Sequence, residues 1–430
     1  MRLDAIMVKR VLMIAYHYPP LRGSSGIQRT LKFSQYLPEN GWQPIVLSAH
    51  PRAYGNTGDD QLRDIPTEAV VERAFALDVS RHLAIKGRYP GMLALPDRWS
   101  SWWLGGVPAG LRLIRKYRPD VIWSTYPIAT AHAIGLTLHK LTGLPWIADF
   151  RDPMTDEGYP PDPTTRRVFH WIEDKTLRLC SKAVCTSPGA IKLYRQRYPH
   201  IPEERYMLME NGYDEETFTD AEARLEGMNG RTPEPAADKP FVLVHSGIIY
   251  PSERDPVPFF SALATLQQQG KISGDRFKVV LRATAHDDYL SGLIRQHGIE
   301  SLVTLEPHVS YREALAEMMT AGGLLVLQAS NCNHQIPAKL YEYLRAKRPV
   351  FALTDPTGDT AATLRKAGID TIAPLDSKDA IVDALARFLT LVEQQRAPLA
   401  SAQQIEANSR RSRTRELARL LEEAARKTTQ

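Results

Sequence analysis

The chain repeats one plan, a short apolar run followed by a polar loop and an amphipathic helix pattern, and this repeat constrains the fold most. The first copy passes from VLMIAY through the loop HYPPLRGSSG (17–26) into IQRTLKFSQYL (27–37). The second copy opens with FVLVHSG (241–247) and ends on NCNHQIPAKLYEYL (331–344). Short apolar runs that alternate with helix patterns are typical of parallel strands covered by helices on both faces. The sequence therefore predicts two doubly wound, Rossmann-like α/β domains.

The length of the chain and one break in its pattern predict the domain boundaries. A chain of 430 residues is about twice the size of a usual domain. The strand–helix alternation stops in the polar, Pro- and Gly-rich stretch 219–240, which indicates a linker, and then restarts. We therefore expect a first domain over 1–218 and a second over 241–398. A C-terminal helix over 399–430 could fold back on the first domain.

Within the first domain, residues 81–118 are expected to form an insert in which tryptophans alternate with basic residues. Trp99, Trp102 and Trp103 lie among cations such as Lys86, and aromatic rings beside cations suit the interface of an anionic membrane. The alternative is a loop that packs on its own domain.

Composition excludes several classes of protein. A formal charge of +5 is too small for this length to indicate binding to nucleic acid. The three cysteines, Cys180, Cys185 and Cys332, argue against a disulfide scaffold and fit a reducing cytoplasm. The apolar run after Lys9 and Arg10 has no small-residue cleavage site, so we interpret it as a first strand and not as a signal peptide. We expect a cytoplasmic protein, at most peripheral on the inner face of the cell membrane.

In the first domain, a strand end runs into Gly23, Ser24, Ser25 and Gly26 and then into a helix. Glycines let backbone N–H groups approach an anion, and the start of a helix favours negative charge. The pattern therefore indicates an anion site. The alternative is a turn that only connects the strand to the helix.

Asp149, Arg151 and Asp152 follow another predicted strand of the first domain. Open α/β sheets bind ligands at the carboxyl ends of their strands, where these three residues are expected. An internal Asp–Arg salt bridge is the alternative. His132, in the helix that follows VIWST, either reaches the ligand or packs as a structural histidine.

The second domain has the sharper pattern. Pro337 is predicted to begin a helix, so that the preceding loop lies at a helix end suited to hydroxyls and phosphate. Lys339 falls in the first turn, where a cation is unfavourable unless an anion binds there. Glu342, one turn later, could accept both vicinal hydroxyls of a ribose; its alternative is a surface ion pair with Lys339. Arg254, which follows the turn at Gly247, is a second candidate for phosphate.

No metal site and no cofactor is predicted. The adjacent aspartates Asp59-Asp60 and Asp287-Asp288 are interpreted as surface or helix-start acids.

Five segments carry a resemblance to a known family. They are IAYHYPPLRGSSGIQRTLKFSQYLPENGW, DVIWSTYPIATAHAIG, PWIADFRDP, HSGIIYPSERDP and QIPAKLYEYLRAKRPVFAL. Together they resemble glycosyltransferase family 4, which has the GT-B fold, and in particular its bacterial branch that builds surface polysaccharides. The resemblance implies two Rossmann-like domains that face each other across a cleft. It also implies a retaining, metal-independent transferase that binds its nucleotide-sugar donor mainly on the second domain and its acceptor on the first.

The resemblance also implies roles for single residues. Glu342 matches the second glutamate of the family's E-x7-E motif, whereas His334 stands where the first glutamate, which holds sugar hydroxyls, is expected. Ile248 replaces the family's arginine after Gly247, and Arg254 stands near its usual lysine. The predicted donor-binding set is Gly23, Ser24, Ser25, Gly26, Gly247, Arg254, Arg282, His334, Gln335, Ile336, Lys339 and Glu342. The predicted catalytic set is His132, Asp149, Arg151 and Asp152.

The sequence thus predicts transfer of a sugar from a nucleotide diphosphate sugar to a glycan or lipid-linked acceptor, with an anionic membrane surface as a further partner. Two alternatives stay open. One is a nucleotide-sugar 2-epimerase of the same fold. The other is a catalytically silent nucleotide-sugar-binding partner, which the missing motif glutamate would suit.

Overall fold

A computed structural model of the chain describes residues 8–24, 26–59, 61–229 and 239–426. The chain divides into two compact units. The first unit comprises Met1–Asn211 together with Arg410–Gln430, and the second comprises Gly212–Ser409. Each unit is built around its own parallel sheet.

The sheet of the first unit has seven strands in the order β3-β2-β1-β4-β5-β6-β7. They are β1 (Lys9–Ile14), β2 (Trp42–Ala49), β3 (Val70–Ala74), β4 (Val121–Thr125), β5 (Trp146–Arg151), β6 (Lys182–Cys185) and β7 (Tyr206–Leu208). Neighbouring strands are parallel, with Val11 opposite both Pro44 and Val121. Central strands such as β4 are buried along their whole length, as expected for a sheet covered on both faces.

Six helices of the first unit connect these strands. They are α1 (Gly26–Tyr36), α2 (Val79–His82), α3 (Ser101–Tyr117), α4 (Ala129–Thr142), α5 (Pro163–Leu179) and α6 (Pro188–Arg197). Local chemistry sets where α5 and α6 begin. The Asp162 carboxylate accepts a hydrogen bond from the Thr165 N–H, Ser187 Oγ accepts one from the Ala190 N–H, and a proline follows each cap.

The predicted insert 81–118 is largely wrong as an insert. Residues 101–117 form α3, a regular crossover helix that packs on α4 and on β2. Trp102 is fully buried in the core of the unit, and Trp103 is 40% exposed. Helix α3 follows β3 as the helices of such a sheet follow their strands. Of residues 81–118, the segment between α2 and α3 is therefore the part that does not belong to this strand–helix alternation.

The second unit has a six-stranded parallel sheet in the order β10-β9-β8-β11-β12-β13. Its strands are β8 (Phe241–Ser246), β9 (Phe277–Arg282), β10 (Val303–Glu306), β11 (Gly323–Leu327), β12 (Val350–Leu353) and β13 (Ile372–Ala373). Its helices are α7 (Glu215–Asn229), α8 (Val257–Gln268), α9 (Asp287–His297), α10 (Tyr311–Thr320), α11 (Lys339–Arg345), α12 (Asp359–Lys366), α13 (Lys378–Glu393) and α14 (Ala402–Ala407). Two apolar clusters cover the two faces of this sheet.

The predicted linker 219–240 is helical over its first half. Residues 219–229 belong to α7, which packs on α10. Phe218 and Ala221 are buried in the second unit's core, and the Arg345 guanidinium pairs with Glu222 at 3.0 Å. A helix that is polar outside a narrow apolar stripe has the composition of a linker, which is why composition misleads here. Residues 230–238 lie outside the described part of the chain.

The last helix, α15 (Arg410–Arg426), belongs to the first unit and packs on α1. Leu417, Leu420 and Leu421 are buried in the core of that unit. The Arg413 guanidinium pairs with the Glu210 carboxylate at 2.7 Å. These three leucines form the apolar stripe that holds α15 to the first unit.

None of the helices in the described ranges combines the length and the apolar composition needed to cross a membrane.

Candidate active site

The loop between β1 and α1 lies at the carboxyl edge of the first sheet. Gly23 has φ 77°, a left-handed conformation that favours glycine. Ser24 Oγ accepts a hydrogen bond from the Gly26 N–H at 3.2 Å and lies 3.1 Å from His17 Nδ1. Ser25 lies outside the described residues. Helix α1 begins at Gly26, so the predicted glycine–serine loop does lead directly into a helix.

Gly26 is needed at this helix start because two side chains approach its backbone. A Cβ at Gly26 would lie 2.6 Å from Arg151 Nη1 and closer still to His17 Nδ1. These distances are too short for any other residue unless the two side chains move. The structure therefore places Arg151, at the end of β5, beside the first turn of α1.

Arg151 is an unusual residue. Its φ is 59°, its side chain is only 9% exposed, and burial lowers the pKa of its guanidinium. Among the described residues, this side chain makes no hydrogen bond, and no carboxylate lies within ion-pair distance; its Nε is buried without a partner. Burial and the neighbouring Arg151 lower the pKa of His17 to about 3, so the His17 ring is neutral at physiological pH.

The Asp149 carboxylate pairs with Arg29, a residue that is not among the predicted site residues. Arg29, on α1, donates from Nε to Asp149 Oδ2 at 2.8 Å and from Nη2 to Oδ1 at 3.0 Å. The hydroxyl of Thr125 donates to the same carboxylate at 3.0 Å, and Asp149 is fully buried. Asp149 thus joins α1 to β5, and its catalytic role stays a prediction. The sequence does mark Arg29 as unusual, because a cation in the first turn of a helix is unfavourable unless an anion lies nearby.

His132 is also part of the core. It is fully buried in α4, its Nδ1 lies 2.8 Å from Ser124 Oγ, and its ring centroid lies 4.9 Å from that of Phe150. Burial lowers the pKa of His132 to about 4. Its Nε2 is buried without a hydrogen-bond partner among the described residues, and the contact of His132 with a ligand stays a prediction. Asp152 stays partly exposed and accepts a hydrogen bond from Thr186 Oγ1 at 3.3 Å.

In the second unit, Lys339 lies against the turn that follows β8. Its Nζ donates to the Ser246 carbonyl oxygen at 2.6 Å and lies 3.5 Å from His245 Nε2. A Cβ at Gly247 would lie 2.8 Å from the same Nζ, and Gly247 has φ 124°. Helix α11 begins at Lys339 after Ala338, so the prediction that Pro337 is its first residue is wrong.

The charge of Lys339 is not neutralised by an acid at contact distance. In the part of the chain that the structure describes, its Nζ has no carboxylate within 4.0 Å, so the predicted alternative of an ion pair with Glu342 is not found. Burial and, next, the charge of Arg254 lower the pKa of Lys339 to about 7. His245 donates from Nδ1 to the Leu325 carbonyl oxygen at 2.9 Å, which leaves its Nε2 as an acceptor facing Lys339.

Glu342 lies one turn after Lys339 and is partly exposed. Its carboxylate accepts a hydrogen bond from the Tyr311 hydroxyl, at the start of α10, at 2.7 Å. Tyr311 was not among the predicted residues, and a tyrosine at a helix start carries no signal of its own. A carboxylate has room for further donors beyond this bond, so Glu342 can still accept from ligand hydroxyls.

The two other cations predicted to bind phosphate, Arg282 and Arg254, differ in their partners. Arg282 donates to Glu317 at 2.7 Å and to the Pro307 carbonyl oxygen at 2.8 Å, and the Glu317 contact raises the pKa of Arg282. Its charge is therefore already paired with Glu317, and its role on phosphate stays a prediction. Arg254 donates to the Ile248 carbonyl oxygen within its own loop, so it lies at the carboxyl edge of β8 beside Gly247.

The segment before α11 is only partly available to a ligand. The side chain of Ile336 is 3% exposed and packs in the core, and its place in the donor site stays a prediction. The Gln335 carbonyl oxygen accepts from Gln328 Nε2 at 3.0 Å and from Thr360 Oγ1 at 3.2 Å. His334 is partly exposed in the turn that precedes them. Gln335 is partly exposed like His334, whereas the side chain of Ile336 is buried.

Comparisons with known proteins agree with this architecture. Residues 26–212 match the family described as "Glycosyl transferase 4-like domain". The match covers most of the first unit. A comparison with curated proteins found no match.

Solved structures resemble the whole chain. Sucrose-phosphate synthase from Thermosynechococcus elongatus has a TM-score of 0.63 at 16% identity, covering 98% of this chain and 97% of its own. HepE from Anabaena in complex with UDP-glucose has a TM-score of 0.65 at 15% identity, covering 96% and 99%. UDP-GlcNAc 2-epimerase from Neisseria meningitidis has a TM-score of 0.55 at 11% identity, covering 96% and 100%. At these identities the likeness is one of fold, and it confirms the predicted GT-B fold class.

In the described ranges, no three side chains of His, Cys, Asp or Glu lie together in a group that could hold a metal ion. The three cysteines are buried free thiols.

Proposed function

We propose that the protein is a retaining, metal-independent glycosyltransferase that moves a sugar from a nucleotide diphosphate sugar to a glycan or lipid-linked acceptor. The proposed pathway is surface polysaccharide synthesis, which rests on the sequence resemblance. The Glycosyl transferase 4-like region over 26–212 supports the class of enzyme. HepE was solved with UDP-glucose, so UDP-glucose is the first donor to test.

One observation carries the donor site of the second unit. Lys339 Nζ lies against the Gly247 turn, and Glu342 follows one turn later on the same helix. A cation without a carboxylate partner next to an open glycine turn suits a phosphate, and a partly exposed carboxylate suits the vicinal hydroxyls of a ribose. In this proposal Lys339 contacts the diphosphate and Glu342 contacts the ribose of the same nucleotide.

The proposed mechanism uses position and charge and no protein nucleophile. Lys339 and Arg254 would stabilise the negative charge that develops on the departing nucleoside diphosphate. Glu342 would hold the ribose, and His334 would contact the sugar in place of the family's glutamate. Holding donor and acceptor in a reactive arrangement supplies the remaining rate enhancement.

Turnover of labelled donors tests this function directly. Purified protein would be incubated with UDP-glucose and other nucleotide sugars, and the products separated. Slow donor hydrolysis, or transfer to a glycan or lipid acceptor, supports the transferase. Conversion to the 2-epimer supports the epimerase, for which the Neisseria meningitidis enzyme shows that the fold is suitable. Binding without any turnover of any donor supports the silent partner.

We further propose that the protein works in the cytoplasm and attaches peripherally to the inner face of the cell membrane. The segment between α2 and α3 supports this, because Ile85 is 79% exposed and Met92 is 76% exposed. Lys86 and Arg88 are exposed between them. Apolar side chains beside cations are suited to the headgroup region of an anionic bilayer.

A further inference from the structure

Tyr311 is a residue of the second unit to which the proposed mechanism gives no role. It is the first residue of α10, and its hydroxyl donates a hydrogen bond to Glu342 Oε1 at 2.7 Å. Glu342 is the residue proposed to hold the ribose of the donor, so this inference rests on the proposed function. We propose that Tyr311 is a positioning residue, which fixes the Glu342 carboxylate for a ribose and makes the site select ribonucleotides over 2′-deoxyribonucleotides.

The start of α10 holds Tyr311 in place. Ser310 Oγ accepts a hydrogen bond from the Glu313 N–H at 3.3 Å, and the Glu313 carboxylate accepts one from the Ser310 N–H at 2.8 Å. This reciprocal pair, a capping box, satisfies backbone groups on both sides of Tyr311 and stabilises the first turn of the helix. The Tyr311 side chain also packs, partly buried, against one of the two apolar clusters of the second unit. The hydroxyl is therefore presented to Glu342 from a fixed helix start.

The backbone that carries Glu342 is fixed as well. On the same helix, the Tyr343 hydroxyl accepts a hydrogen bond from the Ser246 N–H at 3.2 Å, and Lys339 Nζ donates to the Ser246 carbonyl oxygen at 2.6 Å. The Glu342 side chain is partly exposed, and a glutamate side chain loses rotamer freedom when it is ordered. The hydrogen bond from Tyr311 orders this side chain before a ligand binds. A ribose that binds to it therefore loses less affinity to ordering the site.

A carboxylate held in this way discriminates between sugars. An ionised carboxylate has about four lone-pair sites, and the Tyr311 hydroxyl takes one of them, so the 2′- and 3′-hydroxyls of a ribose can both donate to Glu342. A 2′-deoxyribose has one donor fewer. Because Tyr311 prevents the carboxylate from turning towards water instead, the binding of a 2′-deoxynucleotide leaves an acceptor unsatisfied. A freely rotating carboxylate would lose less, so the selectivity depends on Tyr311.

Calorimetric titration of the full-length protein with UDP and with 2′-deoxy-UDP tests the proposal, and the corresponding GDP and ADP pairs serve in the same way if another base binds more tightly. The wild type should bind UDP about tenfold or more tightly than 2′-deoxy-UDP. Tyr311→Phe removes the hydroxyl and keeps the ring. It should weaken UDP binding by about threefold to tenfold, the effect of one hydrogen bond, and change 2′-deoxy-UDP binding little. A ratio of the two affinities that stays at the wild-type value would overturn the proposal, and a purely structural role would give that result.

A double-mutant cycle with Glu342→Gln shows whether the hydroxyl acts through the carboxylate. If it does, Tyr311→Phe should change UDP affinity little in the Glu342→Gln background. Additive losses would show that the hydroxyl contacts the ligand by itself and would contradict the positioning role. The matched control is Tyr289→Phe, which removes the hydroxyl of a 43% exposed tyrosine in the first turn of α9 and should keep the wild-type ratio. An equal change of the ratio in this control would also count against Tyr311.

A second variant separates the hydroxyl from the ring, and the binding assay separates this inference from the proposed function. If Tyr311→Leu lowers the ratio and Tyr311→Phe does not, the ring and not the hydroxyl sets the selectivity, and the proposal is wrong. Because nucleotide binding needs no turnover, a protein that selects UDP through Tyr311 but transfers no sugar would contradict only the transferase activity. Turnover of a donor with an unchanged ratio in Tyr311→Phe would contradict only this inference. A wild type that binds none of UDP, GDP and ADP would overturn both.

Discussion

The charged side chains at the carboxyl edges of the two sheets differ in burial and in pairing. In the first unit, Arg29 and Asp149 are almost fully buried and hold each other, and Arg151 lies beside them with little exposure. In the second unit, Lys339 and Glu342 are partly exposed on one short helix. Buried charge pairs are expensive to break, whereas partly exposed charges remain available to ligands. We therefore expect changes at the Arg29–Asp149 pair to affect folding, and changes at the second edge to affect donor binding.

The largest expected effect is on stability, at Asp149. Replacing Asp149 by Ala leaves the buried Arg29 guanidinium without its carboxylate, which should cost about 3–5 kcal/mol of unfolding free energy. Chemical denaturation measures the change. Asp174→Ala, which breaks an exposed ion pair with Arg178, is the control and should cost about 0–1 kcal/mol. Equal costs in the two variants would remove the contrast between buried and exposed charge.

The second effect concerns donor binding at Glu342. Glu342→Gln should weaken UDP binding by about 1.5–3 kcal/mol, because the neutral amide accepts from one ribose hydroxyl where the carboxylate accepts from two. His334→Ala should bind UDP like the wild type and bind UDP-glucose more weakly, since His334 is proposed to contact the sugar. Calorimetry with both ligands separates these outcomes. Wild-type affinity of both variants for both ligands would place the donor elsewhere.

The third effect is a pH dependence of donor binding through Lys339. The groups that face its Nζ are the neutral His245, Arg254 and, one turn away, Glu342. Because the folded pKa is about 7, Lys339 loses its proton above that pH, and a bound diphosphate should restore it. UDP affinity should thus fall by up to about tenfold per pH unit above pH 7.

Calorimetry at pH 8 in two buffers of different ionisation enthalpy should show proton uptake in the wild type and none in Lys339→Met. The free energy of unfolding should change with pH in the direction opposite to UDP affinity. Between pH 7 and pH 10.5, Lys339 holds its proton in the unfolded chain, where its pKa is the ordinary 10.5, but loses it in the folded chain, where its pKa is about 7. Because the unfolded chain binds more protons in this window, the contribution of Lys339 to the free energy of unfolding increases as pH rises. Lys339→Met should remove both pH effects.

The smallest expected effect is on membrane attachment. Each cation near acidic lipid contributes roughly 1 kcal/mol, and salt weakens the attraction. The double variant Ile85→Ser, Met92→Ser should float less with acidic liposomes than the wild type. Leu141→Ser, which removes a 61% exposed apolar side chain from α4, should float like the wild type. A wild type that stays in solution at low salt would make the segment an ordinary loop.

Much of the fold could be predicted from local patterns. The apolar runs in VIWST and FVLVHSG lie in β4 and β8, because a strand inside a sheet is a run of apolar residues. The edge strands β3 and β13 were missed. β3 is only half-buried over most of its length, and β13 has two residues, so neither carries a continuous apolar run. Helix α7 was missed because its apolar stripe is narrow.

The candidate site could be predicted only in part. The glycine loop before α1 and the pair Lys339 and Glu342 have local signals, namely a helix start, an unfavourable cation and a carboxylate one turn later. Partners that close a site come from distant parts of the chain. Arg29 and Asp149 are separated by 120 positions, and Tyr311 lies 31 positions from Glu342.

The sequence by itself determined the class of fold, the alternation of strands with helices and the location of two polar loops. These follow from the period of apolar residues and from the residues that begin helices, which act over a few positions. Tertiary structure decided which charged side chains are paired inside the protein. Burial and pairing depend on what packs around a side chain, so only the folded chain shows that Arg29 holds Asp149, that Glu317 holds Arg282 and that the Nε of Arg151 is buried without a partner among the described residues.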